Sequence, residues 1–130
     1  MIVVDVNVLA YLLIPGLYTA AAERLLEADP QWAAPRLWRS ELRNVMATYV
    51  RAGVMKSGDA VALFDHAQAL IGHEEYEPDT RDVLRLSEGS GASAYDCEYV
   101  ALAEYLDVKL VTGDRKLARA FPSRVRVLAR

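Results

Sequence analysis

Four acidic residues, scattered along the chain, stand where elements of secondary structure begin or end. Asp5 closes the apolar run Ile2-Val3-Val4, and Asp114 follows Val108-Val111 through "VTGD". Asp96 shares a helical stripe with Val100 and Ala103, at i, i+4 and i+7. Glu41 lies four residues before Val45, beside the apolar stripe of its own helix. Each has an ordinary reading taken singly. Asp5 and Asp114 are suited to N-capping the helix that follows a strand. Asp96 suits a first helical turn, and Glu41 a solvated surface. Together they raise a different chemistry. Two carboxylates about 4 Å apart repel by roughly 4 kcal/mol at an effective dielectric near 20. Four in one pocket must take up protons or hold a cation.

The donor type narrows the cation. Two histidines and the single Cys97 are scattered, so no Cys/His zinc spacing exists. Hard oxygen ligands point to Mg²⁺ or Mn²⁺. Such an ion acidifies water and neutralises charge on a phosphodiester. Asn7 and Thr112 are neutral polar residues near the same positions. They suit the orientation of a carboxylate or a water, and equally suit a local turn or cap.

The elements that must position these residues read as alternating strands and helices. Strands are expected at Ile2-Val4, Val108-Val111 and Arg124-Leu128, with weaker ones at Trp32-Ala34 and Glu75-Glu77. Helices are expected over Tyr18-Ala28, from Pro35 through Tyr49, from a Ser57 cap to about Ile71, and over Thr80-Glu88, Ala94-Leu106 and Arg115-Phe121. Alternation of this kind predicts an α/β fold with a parallel sheet. Sites in such folds lie beyond the carboxyl ends of the strands, where the winding reverses.

The chain has 130 residues, of which 53% are apolar and 25% charged. One domain spanning residues 1–130 accommodates this, with a core that needs no disulfide. The formal net charge of −3 argues against a surface that grips nucleic acid everywhere but allows a local basic patch. No run approaches the ~20 apolar residues of a membrane span. The N-terminus lacks a signal-peptide pattern, so a cytoplasmic location is expected.

Four fragments in order, "VVDVNVL", "SELRNV", "SAYDCEYVALAEYL" and "LVTGDRKL", make the sequence resemble the PIN-domain ribonucleases, specifically the VapC-like toxins of bacterial and archaeal toxin–antitoxin pairs. The resemblance implies a three-layer α/β/α fold around a five-stranded parallel sheet. It implies that Asp5, Glu41, Asp96 and Asp114 are the catalytic acids and that Mg²⁺ or Mn²⁺ is held by Asp5, Asp96 and Asp114. Thr112 matches a Thr or Ser often found two residues before the last acid, and Asn7 takes a place where many members have Ser or Thr. An RNA substrate, a cognate antitoxin and a homodimer are the implied partners.

Other residues carry open readings. Arg115 and Lys116 directly follow Asp114 and are placed to contact RNA. Arg36, Arg39 and Arg43 are expected on one helical face, meeting phosphates or simply solvent. Arg124 and Arg126 alternate with valines, as on a guarded edge strand. Glu98 is either an extra acid or a solvent-facing residue opposite Asp96. His66 and His73 read as surface residues, "HEEYEPD" as a solvated acidic stretch, and Cys97 as a small buried residue. Two rival functions remain. A haloacid-dehalogenase-type phosphatase also has Asp after its first strand, but Asn7 and Leu9 stand where it needs Asp and Thr. A non-catalytic binding or scaffold domain would leave the acidic pocket idle.

Overall fold

The computed structural model describes residues 1–130. Its strands are β1 (Ile2–Val4), β2 (Trp32–Pro35), β3 (Glu75–Tyr76), β4 (Leu110–Thr112) and β5 (Val125–Val127). Its helices are α1 (Val6–Leu13), α2 (Thr19–Ala28), α3 (Trp38–Arg51), α4 (Ser57–Ile71), α5 (Thr80–Ser90), α6 (Ala94–Leu106) and α7 (Arg115–Ala120). The strands form one sheet in the order β3-β2-β1-β4-β5, and every pairing is parallel. This is the expected three-layer α/β/α architecture.

Period-two alternation of side chains decides the layering. Ile2, Val4, Trp32, Ala34 and Val111 face one way and pack with residues of α1 to α4. Val3, Ala33, Leu110 and Val125 face the other way and pack with α5, α6 and α7. Both faces of the central strands are covered, which is why β1 reads as a continuous apolar run. The sheet has its reversal point at β1. Chain order runs outward through β2 and β3 on one side, and through β4 and β5 on the other. Asp5 leaves β1 at that point, and Asp114 follows the adjacent β4.

Several boundaries differ from expectation, each for a physical reason. Pro35 ends β2 instead of opening a helix, and α3 begins three residues later, at Trp38. Arg36 therefore lies in a turn and not on the α3 face. The strand expected at Val108-Val111 is shifted to Leu110–Thr112, because α6 runs to Leu106 and Asp107 takes a left-handed conformation at its end. Thr112 is thereby inside a strand, fully buried. Lys56, not Ser57, stands at the N-cap of α4, without a side-chain cap bond. Gly72, with φ of 59°, stops α4, so His73 is not helical and does not share a helix with His66. The stretch around Glu75 is half-buried strand. Arg39 donates two hydrogen bonds of 2.8 Å to the Glu75 carboxylate. Arg43 lies 4.8 Å over the Phe64 ring. β5 is the edge strand expected for Arg126, with Val125 buried and Arg126 exposed.

Candidate active site

Parallel strands with helical crossovers send every strand-to-helix turn to one edge of the sheet. Asp5 and Asp114 are the N-caps of α1 and α7 at that edge. Asp5 Oδ1 accepts from the backbone N–H of Asn7 at 2.9 Å and of Val8 at 3.2 Å. Asp114 Oδ1 accepts from Lys116 N–H at 2.8 Å and Leu117 N–H at 3.1 Å. The capping reading is correct for both, and it does not compete with a further role. One oxygen makes the cap bonds and the other is turned elsewhere.

Thr112 joins the two acids. Its hydroxyl donates to Asp5 Oδ2, and its Oγ1 accepts from the backbone N–H of Asp114 at 3.0 Å. A buried hydroxyl with both functions satisfied holds one rotamer, so it fixes Asp5 relative to the β4–α7 turn. Thr112→Val keeps the shape and removes the hydroxyl. The expected result is a loss of about 10- to 100-fold in divalent-cation affinity, read by calorimetric titration, with the helical spectrum unchanged.

Glu41 and Asp96 come from the first turns of α3 and α6. Both are half-buried. Ser93 caps α6 by accepting from Asp96 N–H at 3.1 Å, which sets that turn. Glu41 Oε1 accepts a 2.6 Å hydrogen bond from the hydroxyl of Tyr99. Tyr99 is buried one turn along α6 from Asp96, so a single helix carries one acid and anchors another. The sequence holds this signal in the i, i+3 spacing of Asp96 and Tyr99, but nothing local says that Glu41 is the acceptor. Asp96 and Asp114 line one cleft of about 370 Å³ with Ser90, Ser93 and Lys116. Asn7 is exposed in the first turn of α1, and Arg115 and Lys116 are exposed in the first turn of α7.

Electrostatics tie the four acids together. Burial pushes the Asp5 carboxyl above the ordinary aspartate range; hydrogen bonds from Thr112, Val8 and Asn7 oppose this, and the Asp96 charge adds to it. Glu41 is raised by burial and by the charges of Asp5, Asp96 and Glu98, against the pull of the Tyr99 bond. Asp96 is raised by burial and then by Asp114. None of the four takes part in an ion pair. Glu98 differs from the expectation of solvent exposure: it is half-buried and raised by burial and by Glu77. It belongs to the negative field around Glu41.

The four acids thus feel one another across the edge without forming a closed cage. No three acidic, imidazole or thiol side chains are gathered tightly enough to make a ready metal site. The donor chemistry fits a hard divalent cation: carboxylate oxygens, those of Asp5, Glu41 and Asp96 raised by burial and then by neighbouring acids, with no Lys or Arg paired to them.

The family described as the PIN domain matches residues 2–121. The chain belongs to the PIN-domain family. This PIN domain is 32% identical over 128 residues to Ribonuclease VapC3 of Pyrobaculum aerophilum, covering 95% of the present chain and 97% of that relative. Among solved structures it is similar to FitAcB from Neisseria gonorrhoeae, with a TM-score of 0.75, 17% identity, and coverage of 99% and 97% of the two chains. It is also similar to a toxin–antitoxin complex from Klebsiella pneumoniae, with a TM-score of 0.72, 20% identity, and coverage of 99% and 98%. The structural likenesses carry the fold of the PIN domain across its whole length.

Proposed function

We propose that this PIN domain is a Mg²⁺- or Mn²⁺-dependent endoribonuclease, acting as the toxin of a toxin–antitoxin pair. The observation that carries the reading is the row of four mutually repelling acids, unpaired by any base, along the reversal edge of the sheet. The relative named as a ribonuclease and the neighbour named as a toxin–antitoxin complex support it.

Asp5, Asp96 and Asp114 would hold the cation, with Thr112 fixing Asp5 and Asn7 beside it as a neutral polar group. When bound, the cation supplies Lewis acidity toward a phosphate oxygen and a water acidified enough to attack at neutral pH. Glu41 is the acid placed to receive a proton. Tyr99 occupies its Oε1 and orients the carboxylate, and burial raises its basicity. Arg115 and Lys116 stand next to Asp114 and would pair with phosphates of the bound strand. The same reading includes a cognate antitoxin, a homodimer and a cytoplasmic setting. No helix is long and apolar enough to cross a membrane.

The test is cleavage of single-stranded RNA by the purified protein with and without EDTA. Cleavage should stop on chelation and return with excess Mg²⁺ or Mn²⁺; cleavage that survives chelation overturns the metal requirement. The absence of a ready three-acid cage favours one rival, a binding domain with an idle acidic edge. Calorimetric titration with Mn²⁺ separates them, since an idle edge would show no binding heat.

A further inference from the structure

A second depression opens beside the acid row, on the side away from Glu41. It holds about 490 Å³ and is lined by Tyr18, Gly113, Arg115, Leu128 and Arg130, among others. Gly113 and Arg115 flank Asp114 directly, so a strand lying on the acids would run into it. Its floor is fixed to the same strand that delivers Asp114, because Leu128 N–H donates to Thr112 C=O at 2.8 Å.

The ring of Tyr18 is held at a set tilt. It stacks on Tyr11 with centroids 4.7 Å apart and planes 21° from parallel. Tyr11 in turn sits tight beneath the β4–α7 turn: a Cβ added to Gly113 would lie 2.7 Å from its hydroxyl. A side chain at position 113 would have to displace the Tyr11 ring, so the turn and the ring hold each other in place. Arg115 and Arg130 are exposed, and neither is engaged in an ion pair. A braced aromatic ring and two unpaired guanidinium groups around a largely polar depression are the parts with which proteins hold an unpaired nucleotide. The volume lies within the range of small-ligand pockets.

We propose that this depression is a nucleotide subsite. An unpaired base next to the scissile bond stacks on Tyr18, and the adjoining phosphate is held by Arg115 and Arg130. The assignment rests on the ribonuclease reading and deepens it, since it makes an unstacked, single-stranded nucleotide a condition of productive binding.

Binding is measured by fluorescence anisotropy with a short fluorescein-labelled single-stranded RNA of mixed sequence, on protein carrying Asp5→Asn to prevent turnover. Adding Tyr18→Ala should weaken binding about ten-fold or more, and Tyr18→Trp should keep it. An abasic strand of the same length should not distinguish these two. The Arg115→Ala, Arg130→Ala pair should weaken binding and flatten the salt dependence by a slope of about 0.7, as expected for one single-strand phosphate. Tyr18→Leu covers the case in which Tyr18→Ala fails to fold: it should bind as weakly as expected for Tyr18→Ala. Equal affinity for the Leu and Trp variants overturns the subsite, and so does an unchanged salt slope. If wild type cleaves RNA while either of these holds, the subsite falls alone. If wild type does not cleave RNA and the Asp5→Asn protein does not bind it, the ribonuclease reading falls and takes the subsite with it.

Discussion

Asp5→Asn should lose RNA cleavage on the order of 10²- to 10³-fold while melting at a higher temperature than wild type. The first half follows from removing charge at the point where β1 delivers it, the kind of loss seen when one electrostatic stabiliser is taken from a reaction centre. The second half follows from burial. Asp5 is 8% exposed, carries a raised carboxyl and has no cationic partner, so the folded protein bears the cost of keeping it ionised. Asn caps a helix as well as Asp does and can still accept from the N–H groups of Asn7 and Val8, while its Nδ2 cannot accept from the Thr112 hydroxyl, a loss that offsets part of the relief. The expected gain is about 1 kcal/mol, a few degrees in Tm, within the range of substitutions that relieve strain at functional sites. Mutant and wild type must be purified identically, because a trace contaminating nuclease would mask the first effect.

The sign of the pH dependence follows from the same groups. Asp5, Glu41 and Asp96 all have folded-state carboxyls raised above their unfolded values. The native state therefore binds protons more tightly than the unfolded chain. Their destabilising effect is fully present above the raised values and is relieved as pH falls through them toward the ordinary carboxylate range. Thermal melts of the metal-free protein should show this relief on mild acidification, and Asp5→Asn should reduce it. A divalent cation bound at this edge should stabilise the native state by mass action at neutral pH.

Trp32→Ala should destabilise the fold by about 3–5 kcal/mol, which is more than a hundred-fold in the folding equilibrium. Trp32 is 1% exposed in the second-innermost strand, and its indole N–H donates to Asp29 C=O at 2.8 Å. Truncation leaves a cavity in the layer beneath α1 to α4 and frees a carbonyl at the end of α2. Chemical denaturation with urea gives the number. Tyr105→Ala, at a side chain 76% exposed on α6, serves as the control and should change stability by less than about 0.5 kcal/mol.

The sequence made the layer architecture legible because strand alternation is a local property. Val3 and its neighbours Ile2 and Val4 had to face opposite layers once both faces were covered. It also pointed to the acids, since Asp5, Asp96 and Asp114 stand where strands end or a buried helix begins. What local pattern could not carry was register and distant pairing. Val108 and Lys109 look like strand, but Asp107 is left-handed and Val108 N–H turns back to Ala103 C=O, so two residues are spent re-entering the sheet. Pro35 looks like a helix start, yet β2 uses it beside the short edge strand β3, where a missing N–H costs little. No helix is expected after Asp5: Val6, Leu9 and Leu13 of α1 do recur at helical spacing, but Val8, Ala10, Tyr11 and Leu12 between them are apolar too and blur the stripe. The Tyr99–Glu41 bond joins residues 58 positions apart, and the Thr112–Asp5 bond joins residues 107 apart. No window of sequence contains either pair.

That last separation bears on when the proposed activity can first appear in a growing chain. Asp5 emerges from the ribosome more than a hundred residues before the strand carrying Thr112 and Asp114 is translated. Until it is released, β1 lacks its β4 neighbour and the acid edge lacks one of its members. On the proposed reading, a nascent chain is therefore inert until β4 has emerged and paired with β1.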